Sequence, residues 1–450
     1  MLIWLTARFC VLTLLLVWVP QVAAETTAFM NVQVVPMDAE RHMSQQTVIV
    51  NDGSIVAIGP VDEVPIPEGA LVVDGTDRYL MPGLAEMHAH VPRADSPNIH
   101  RYFSLYVANG VTTIRGMLGQ PSHLELRDAL EAGNVFGPRL YTSGPSLNGR
   151  SVNGPAEART MTEEQHAAGY DFIKLHPGLT REEFETIAAT ANRLGIPFAG
   201  HVPVAVGVEG ALESGMATID HLDNYLAAAM PPASPGLGGY GGFFDVLLAD
   251  QVDVDRILAL ATATASSDTW NVPTQILVEV RVNNVPVEIL SNWPEMRYMP
   301  AETVARWVEA KTATLAERGF NAETAALGIE LRRRLLLELQ RAGAGLLLGS
   351  DSPQVFSVPG FSIHRELAVL VAAGLTPYEA LRSGTASVAE YFGSNGGIVA
   401  VGRDADLMLL DADPLADIAN ASRIHGVMLR GAWYPAAQLD ERIARFRREN

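Results

Sequence analysis

Short apolar runs alternate with stretches whose apolar positions recur every three or four residues through the middle of this 450-residue chain. The first pattern marks buried strands and the second amphipathic helices, and their alternation predicts a parallel sheet with helical crossovers. Eight strand candidates occur in order: LAEMHAH, GVTTIRG, RLYTSG, YDFIKLH, IPFAGHV, ATIDHLD, TWNVPTQ and AGLLLGSD. Eight is the number a closed (β/α)8 barrel needs. Helices are legible between them, as SHLELRDALEAG before the third strand, TREEFETIAATANRLG before the fifth, GVEGALESG before the sixth and ELRRRLLLELQRAG before the eighth. Each ends in Gly, the residue that most easily takes the left-handed backbone of a helix C-cap.

Two β-rich segments flank this middle. Residues 28–80 carry FMNVQVV, QTVIVNDGSIVAIG and ALVVDG, with Asn51-Asp52-Gly53 as a hairpin turn, and residues 396–434 carry GGIVAVG, ADLMLLD and HGVMLRGAWY. Neither segment alone holds enough strands to bury a face, so both ends are expected to share one small β-sandwich. The expected division is 25–80 for the first part of the sandwich, 81–392 for the barrel, and 393–450 for the second part with a C-terminal helix. Residues 224–250 break the rhythm with MPPASPGLGGYGG, which reads either as a surface linker or as a loop covering the active face.

The N-terminus is a separate object. Arg8, the apolar run FCVLTLLLVWV, Pro20 and the small residues VAA have the order of a secretory signal, with cleavage expected after Ala24. The run is short for a permanent span, so no stable membrane helix is expected after cleavage, and the mature protein is expected in the periplasm or secreted. The only cysteine, Cys10, lies in this segment, leaving the remainder without disulfides or a thiol nucleophile. A formal charge of −19 argues against nucleic acid as a partner, since phosphate binding needs clustered Lys and Arg. Nothing in the composition excludes a homo-oligomer.

Barrel enzymes build their sites at the C-terminal ends of the strands, and here those ends are polar. The first strand candidate ends in His88-Ala89-His90, whose imidazoles point to one side of an extended chain. The fifth ends at His201, the sixth at His221 and the eighth at Asp351. Each could be a satisfied core residue by itself, but four histidines and an aspartate at matching strand ends are hard to explain by packing. They form a ligand set suited to Zn²⁺, with Mn²⁺, Co²⁺ or Fe²⁺ as alternatives. Lys174 ends the fourth strand. A buried lysine is either paired, here with Asp171 or a neighbouring acid, or neutral, in which case it can take up carbon dioxide and become an anionic bridging carbamate. Asp351 is the candidate catalytic group, general base towards water and then general acid towards the leaving nitrogen.

The segments PGLAEMHAH, GVTTIR, DFIKLH, GIPFAGHV, TIDHLD and GSDSP, followed by HRELAVLVAAGLTPYEALRSGTASVAEYFG and GGIVAVGRDADLMLLDADP, cover almost everything after the signal segment. In kind, order and spacing they resemble the amidohydrolase superfamily, in particular its imidazolonepropionase-like and prolidase-like members. The resemblance implies a distorted TIM-like barrel with a flanking β-sandwich and a hydrolytic site of one or two metals. It implies His88, His90, Lys174 and Asp351 around one ion, and Lys174, His201 and His221 around the other. The expected reaction is hydrolysis of a carbon–nitrogen bond in a small amide, dipeptide-like or cyclic amide substrate. A lactone or ester, or deamination of a small heterocycle, are the alternatives, and Lys174 counts against the last.

One departure stands out. Relatives acting on dipeptide-like amides often carry a tyrosine shortly after the fifth-strand histidine and a histidine after the third strand, where they polarise the carbonyl. Here those places read His201-Val202-Pro203-Val204 and Ser143-Gly144-Pro145. Tyr225, Asn224 and Tyr240 are candidate substitutes, and Arg115 is expected to make an ion pair within the barrel, with bidentate binding of a substrate carboxylate as the alternative. His364 is expected to cap or pack the helix it starts.

Overall fold

The computed structural model describes residues 26–232, 234 and 241–448. The proposed signal segment with Cys10, and Tyr240, lie outside the described residues.

Both ends of the chain build one eight-stranded sheet. Its strands are β1 (Thr27–Val34), β2 (Met43–Asn51), β3 (Ser54–Pro60), β4 (Leu71–Asp74) and β5 (Tyr79–Pro82). Beyond the barrel, whose strands take β6 to β12 below, come β13 (Leu407–Leu410), β14 (Ile424–Leu429) and β15 (Ala432–Pro435). The order is β15-β14-β13-β5-β1-β2-β3, with β4 also pairing β1. The joint between the ends is β5 against β13, antiparallel from Pro82↔Leu407 to Tyr79↔Leu410. At the β2–β3 turn Asp52 and Gly53 have φ of 52° and 75°, as a type I′ hairpin requires. β15 and β1 stand four strands apart, roughly 19 Å in a flat sheet at about 4.8 Å per strand. Yet the rings of Phe29 and Trp433 meet edge to face at 5.1 Å. The sheet therefore curls onto itself, and its two layers enclose a separate apolar cluster that includes Val34, Val50, Leu80, Leu407 and Met428.

The barrel strands are β6 (Leu84–Ala89), β7 (Val111–Gly116), β8 (Arg139–Thr142), β9 (Ile173–Leu175), β10 (Phe198–Gly200), β11 (Thr218–Asp220) and β12 (Trp270–Val272). They run parallel as β6-β7-β8 and β9-β10-β11-β12. Residues of β6, β9, β10 and β11 are buried throughout, as expected of strands covered on one side by the barrel interior and on the other by helices. The ring is completed by isolated bridges rather than long ladders. Ser143 bridges Phe172, Asn271 bridges Leu346, and Ala89 bridges Ser352. The eighth strand is thus an irregular extended segment, with Leu347 donating to Asn271 O, Met87 to Leu348 O and His90 to Ser352 O.

The helix Arg181–Leu194 opens with a capping box between Thr180 and Glu183 and closes on left-handed Gly195. The helix Ala322–Ala342 closes the same way on Gly343. Between β12 and that last helix the chain adds Gln275–Val282, Val287–Ser291 and Ala301–Leu315. No helix among the described residues is long and apolar enough to cross a membrane.

Candidate metal centre

The polar strand ends converge. His88 in β6, Lys174 in β9, His221 directly after β11 and Asp351 in the closing segment are all buried. His201 follows β10, and His90 is the most open of the set, with a fifth of its side chain exposed. One ligand atom from each of His88, His221 and Asp351 lies within 4.8 Å of the others. Asp351 Oδ1 stands 2.8 Å from His90 Nε2 and 3.7 Å from His88 Nε2, while Oδ2 is 3.7 Å from His221 Nδ1. The rings of His88 and His221 are 4.4 Å apart and those of His201 and His221 4.7 Å. His221 and Asp351 have φ of 62° and 59°. Such backbone costs about 1–3 kcal/mol for a residue with a side chain, and it concentrates where function fixes the geometry.

These groups are brought together with little hydrogen bonding among themselves. Asp220 Oδ2 stands 3.0 Å from His88 Nδ1 and Asp351 Oδ1 2.8 Å from His90 Nε2, but neither contact is aligned as a hydrogen bond, and Lys174 Nζ is buried with no hydrogen-bond partner. A buried polar atom left in that state costs about 1–3 kcal/mol, which a cation bound among them would relieve. Imidazole, carboxylate and amine in one pocket therefore fit a divalent ion. Burial drives His88 and His221 well below the usual histidine range, keeping both neutral as ligands must be. Burial also lowers Lys174, against the pull of Asp220 and Asp351, and so favours its neutral amine. Asp171 does not pair with it, since its carboxylate is held by Arg127 at 3.2 Å and by Thr142 N at 2.7 Å. The nearest carboxylate is Asp220, at 3.7 Å. Gly200 makes room for the amine, for a Cβ there would sit 3.0 Å from Nζ and 2.5 Å from Leu175 O.

A second layer aims the ligands. Asp223 Oδ2 lies 3.1 Å from His201 Nδ1, and Thr274 Oγ1 2.8 Å from His221 Nδ1, leaving the opposite ring nitrogen of each free for an ion. Thr274 precedes the helix Gln275–Val282, whose first backbone N–H groups, Gln275 and Ile276, donate to the buried Glu366 at 2.9 and 2.6 Å. Glu86 lies two residues before His88 on the same side of β6. Its carboxylate accepts from His88 N at 3.0 Å, Ser350 N at 2.8 Å, the Ser350 hydroxyl and Ser352 Oγ at 3.3 Å, so it ties the first ligand strand to the segment carrying Asp351. Arg332 donates to His221 O at 2.7 Å and to Gln275 Oε1 at 2.9 Å. Burial works to raise Asp220, but Arg115 and Lys174 outweigh it and hold that carboxylate ionised.

Three candidate substrate contacts face elsewhere. Arg115 is fully buried and donates to Met87 O, Thr218 Oγ1, Tyr391 OH and Asp220 Oδ1, so its guanidinium belongs to the barrel interior and not to the mouth. The Tyr225 hydroxyl bonds Thr264 Oγ1 at 2.9 Å and donates to Asn271 Oδ1 at 3.1 Å. Asn224 donates to Val202 O at 2.7 Å, fixing the chain after His201 to the chain after His221. His364 packs in its helix with Nε2 3.0 Å from Asn109 O.

The sequence reading passed over two side chains at the site. Phe244 lies against His221 at 4.6 Å between ring centres, inclined by 23°, and reaches His201 at 6.0 Å. His176, directly after β9, stacks on His201 at 5.1 Å. Its place two residues beyond Lys174, on the same side of the strand, was the available signal. Burial pushes its ring down to about 2, and Lys174, His201 and His90 act in the same direction.

Residues 79–434 match the amidohydrolase family, and the chain belongs to that family. It is accordingly a hydrolase acting on carbon–nitrogen bonds, of a family that generally depends on divalent metal. No curated protein sequence matches it significantly. Among solved structures it is similar to a bottromycin amidohydrolase at 23% identity and a TM-score of 0.73, over 94% of this chain and 90% of that one. It is also similar to a Xaa-Pro dipeptidase solved with bound methionine (17%, TM-score 0.65, 91% and 100%) and to molinate hydrolase (17%, 0.66, 92% and 96%). At those identities the likeness shows the fold.

Proposed function

We propose that this protein is an exported hydrolase of a small amide, dipeptide-like or cyclic, working with two divalent ions, zinc by preference. The observation that carries this reading is the buried, unpartnered Lys174 at the centre of a converging His/Asp set. His88, His90 and Asp351 would hold one ion, His201 and His221 the other, with Lys174 shared between them. For that role the neutral Lys174 amine adds to the carbon of carbon dioxide, forming an N–C bond and losing one proton. Gly200 leaves space beside the amine, and burial favours the unprotonated form that reacts. Ions held there supply Lewis acidity towards water and a carbonyl oxygen.

The chain's own residues do the rest. Asp351 takes the proton of the attacking water and delivers it to the leaving nitrogen as the C–N bond breaks. Its left-handed backbone and the Glu86 tether fix where that carboxylate stands. Phe244 presents an apolar ring beside His221 and His201, which favours a substrate with an apolar group next to the amide.

Metal analysis of purified protein comes first, then a screen against N-acyl amino acids, Xaa-Pro dipeptides and lactones. Close to two metals per chain are expected. Lys174→Ala should lower metal content and activity together, and a short carboxylic acid added with metal should restore part of the activity. One metal per chain, with full activity in Lys174→Ala, excludes the two-metal reading.

A further inference from the structure

The carbonyl-polarising side chains that dipeptide-cleaving relatives carry are missing from their expected places, and Tyr225 and Asn224 are committed to other bonds. One side chain at the site remains uncommitted. His176 leaves β9 on the same side as Lys174, and its ring lies over His201 at 5.1 Å with 29° between planes. Its Nδ1 is buried without a hydrogen-bond partner. Its backbone is tied in place. His176 N donates to Leu147 O at 2.9 Å, and Gly149 N to Pro177 O at 3.3 Å, so the chain after β9 is stitched to the loop after β8. The two strands of that stitch approach so closely that a Cβ on Gly149 would lie 2.2 Å from Gly178 O. Nδ1 is closed to solvent, so the ring edge left for a ligand is Nε2; a ring stacked on a ligand histidine from a tied backbone has the features of a preorganised donor to developing negative charge.

We infer that His176 is a catalytic residue whose ring N–H donates a hydrogen bond to the carbonyl oxygen of the bond being broken. The inference rests on the hydrolytic reading above. Water oxygen adds to the carbonyl carbon, the π pair moves onto the carbonyl oxygen, and that oxygen accepts the His176 bond. The water's proton goes to Asp351 and then to the leaving group as the scissile bond breaks. His176 keeps its own proton throughout.

The test compares wild type, His176→Phe and His176→Gln, each with its metal measured, on p-nitroacetanilide and p-nitrophenyl acetate. Metal content should be unchanged in all three. Loss of one such donor should lower kcat about 10²–10³-fold in His176→Phe. KM should move less than threefold. His176→Gln, which retains an N–H, should recover part of the rate. Methylphosphonate, a tetrahedral oxyanion, should bind metal-loaded His176→Phe at least tenfold more weakly than wild type. If wild type cleaves neither of these nor any compound of the screen above, the proposed substrate reading fails, and methylphosphonate affinity alone decides for or against His176. Equal methylphosphonate affinity, or an unchanged kcat, overturns the inference. So does loss of metal in His176→Phe, which would make His176 a ligand instead.

Discussion

Glu86 shows how much of the centre depends on a residue that touches no substrate. Its carboxylate gathers donors from both sides of the joint between β6 and the closing segment. Burial pushes its proton affinity up to about 8, while the Ser350 and His88 donors oppose that shift. Glu86→Gln keeps the volume but replaces one accepting oxygen with an NH2 facing N–H groups. Each buried donor left unmatched costs about 1–3 kcal/mol. The variant is therefore expected to melt several degrees lower and to bind metal about 10–100-fold more weakly, the usual penalty for losing an outer partner. Calorimetry with a metal titration checks both, and wild-type metal affinity in a destabilised variant would confine Glu86 to packing. Other partners of this kind, Asp220 and Asp223, lay in plain view within TIDHLD. Their part could not be read there, because it depends on which ring nitrogen each meets across the barrel.

Among the elements, strands and helix ends were the legible part. All eight apolar runs lie on the barrel wall, since a strand buried on both faces leaves an unbroken hydrophobic mark. Residues 224–250 were legible only as a linker or a cover, and Phe244 within them lies against His221. Phe244 and Asp245 take φ of 50° and 62°, a departure no periodicity announces. Asp245 is buried near Arg332, which also holds the His221 backbone, and Gly328 lets the helix Ala322–Ala342 come against Val246. Arg332 could have been found. Positions 328, 332, 335, 336 and 339 fall on one helical face and are buried, so an arginine there had to be partnered inside. Phe244→Ala should leave metal content unchanged and reduce kcat/KM for aromatic N-acyl substrates relative to acetyl ones by about 2–10-fold, in line with a lost aromatic contact. An unchanged ratio would mean that the ring only packs.

At the scale of the whole molecule, the barrel is closed by the same stretch that carries Asp351, and the sheet by the pairing of the two chain ends. The sharing of one sheet by both ends followed from arithmetic on strand number, whereas the curl that sets Phe29 against Trp433 did not. A chain ending before Gly396 loses β13–β15, the partner edge of β5 and five of the thirteen buried residues of the sheet's apolar cluster. Residues 27–82 should then lose hydrogen-exchange protection while barrel amides keep more of theirs. Full protection of β1 and β5 in that chain would show the N-terminal strands standing alone.

The β5–β13 seam also sets a clock. At about 5–20 residues per second of synthesis, Leu407 follows Pro82 out of the ribosome by roughly 15 to 65 seconds. For that interval the β5 edge, Tyr79–Pro82, waits with its ladder groups unpaired and Leu80 and Met81 uncovered. Joining strands so distant in sequence makes assembly slow even after the chain is complete. A nascent chain in this condition invites edge-to-edge association with its neighbours. Residues 407–435 thus decide whether residues 27–82 find their own sheet or someone else's.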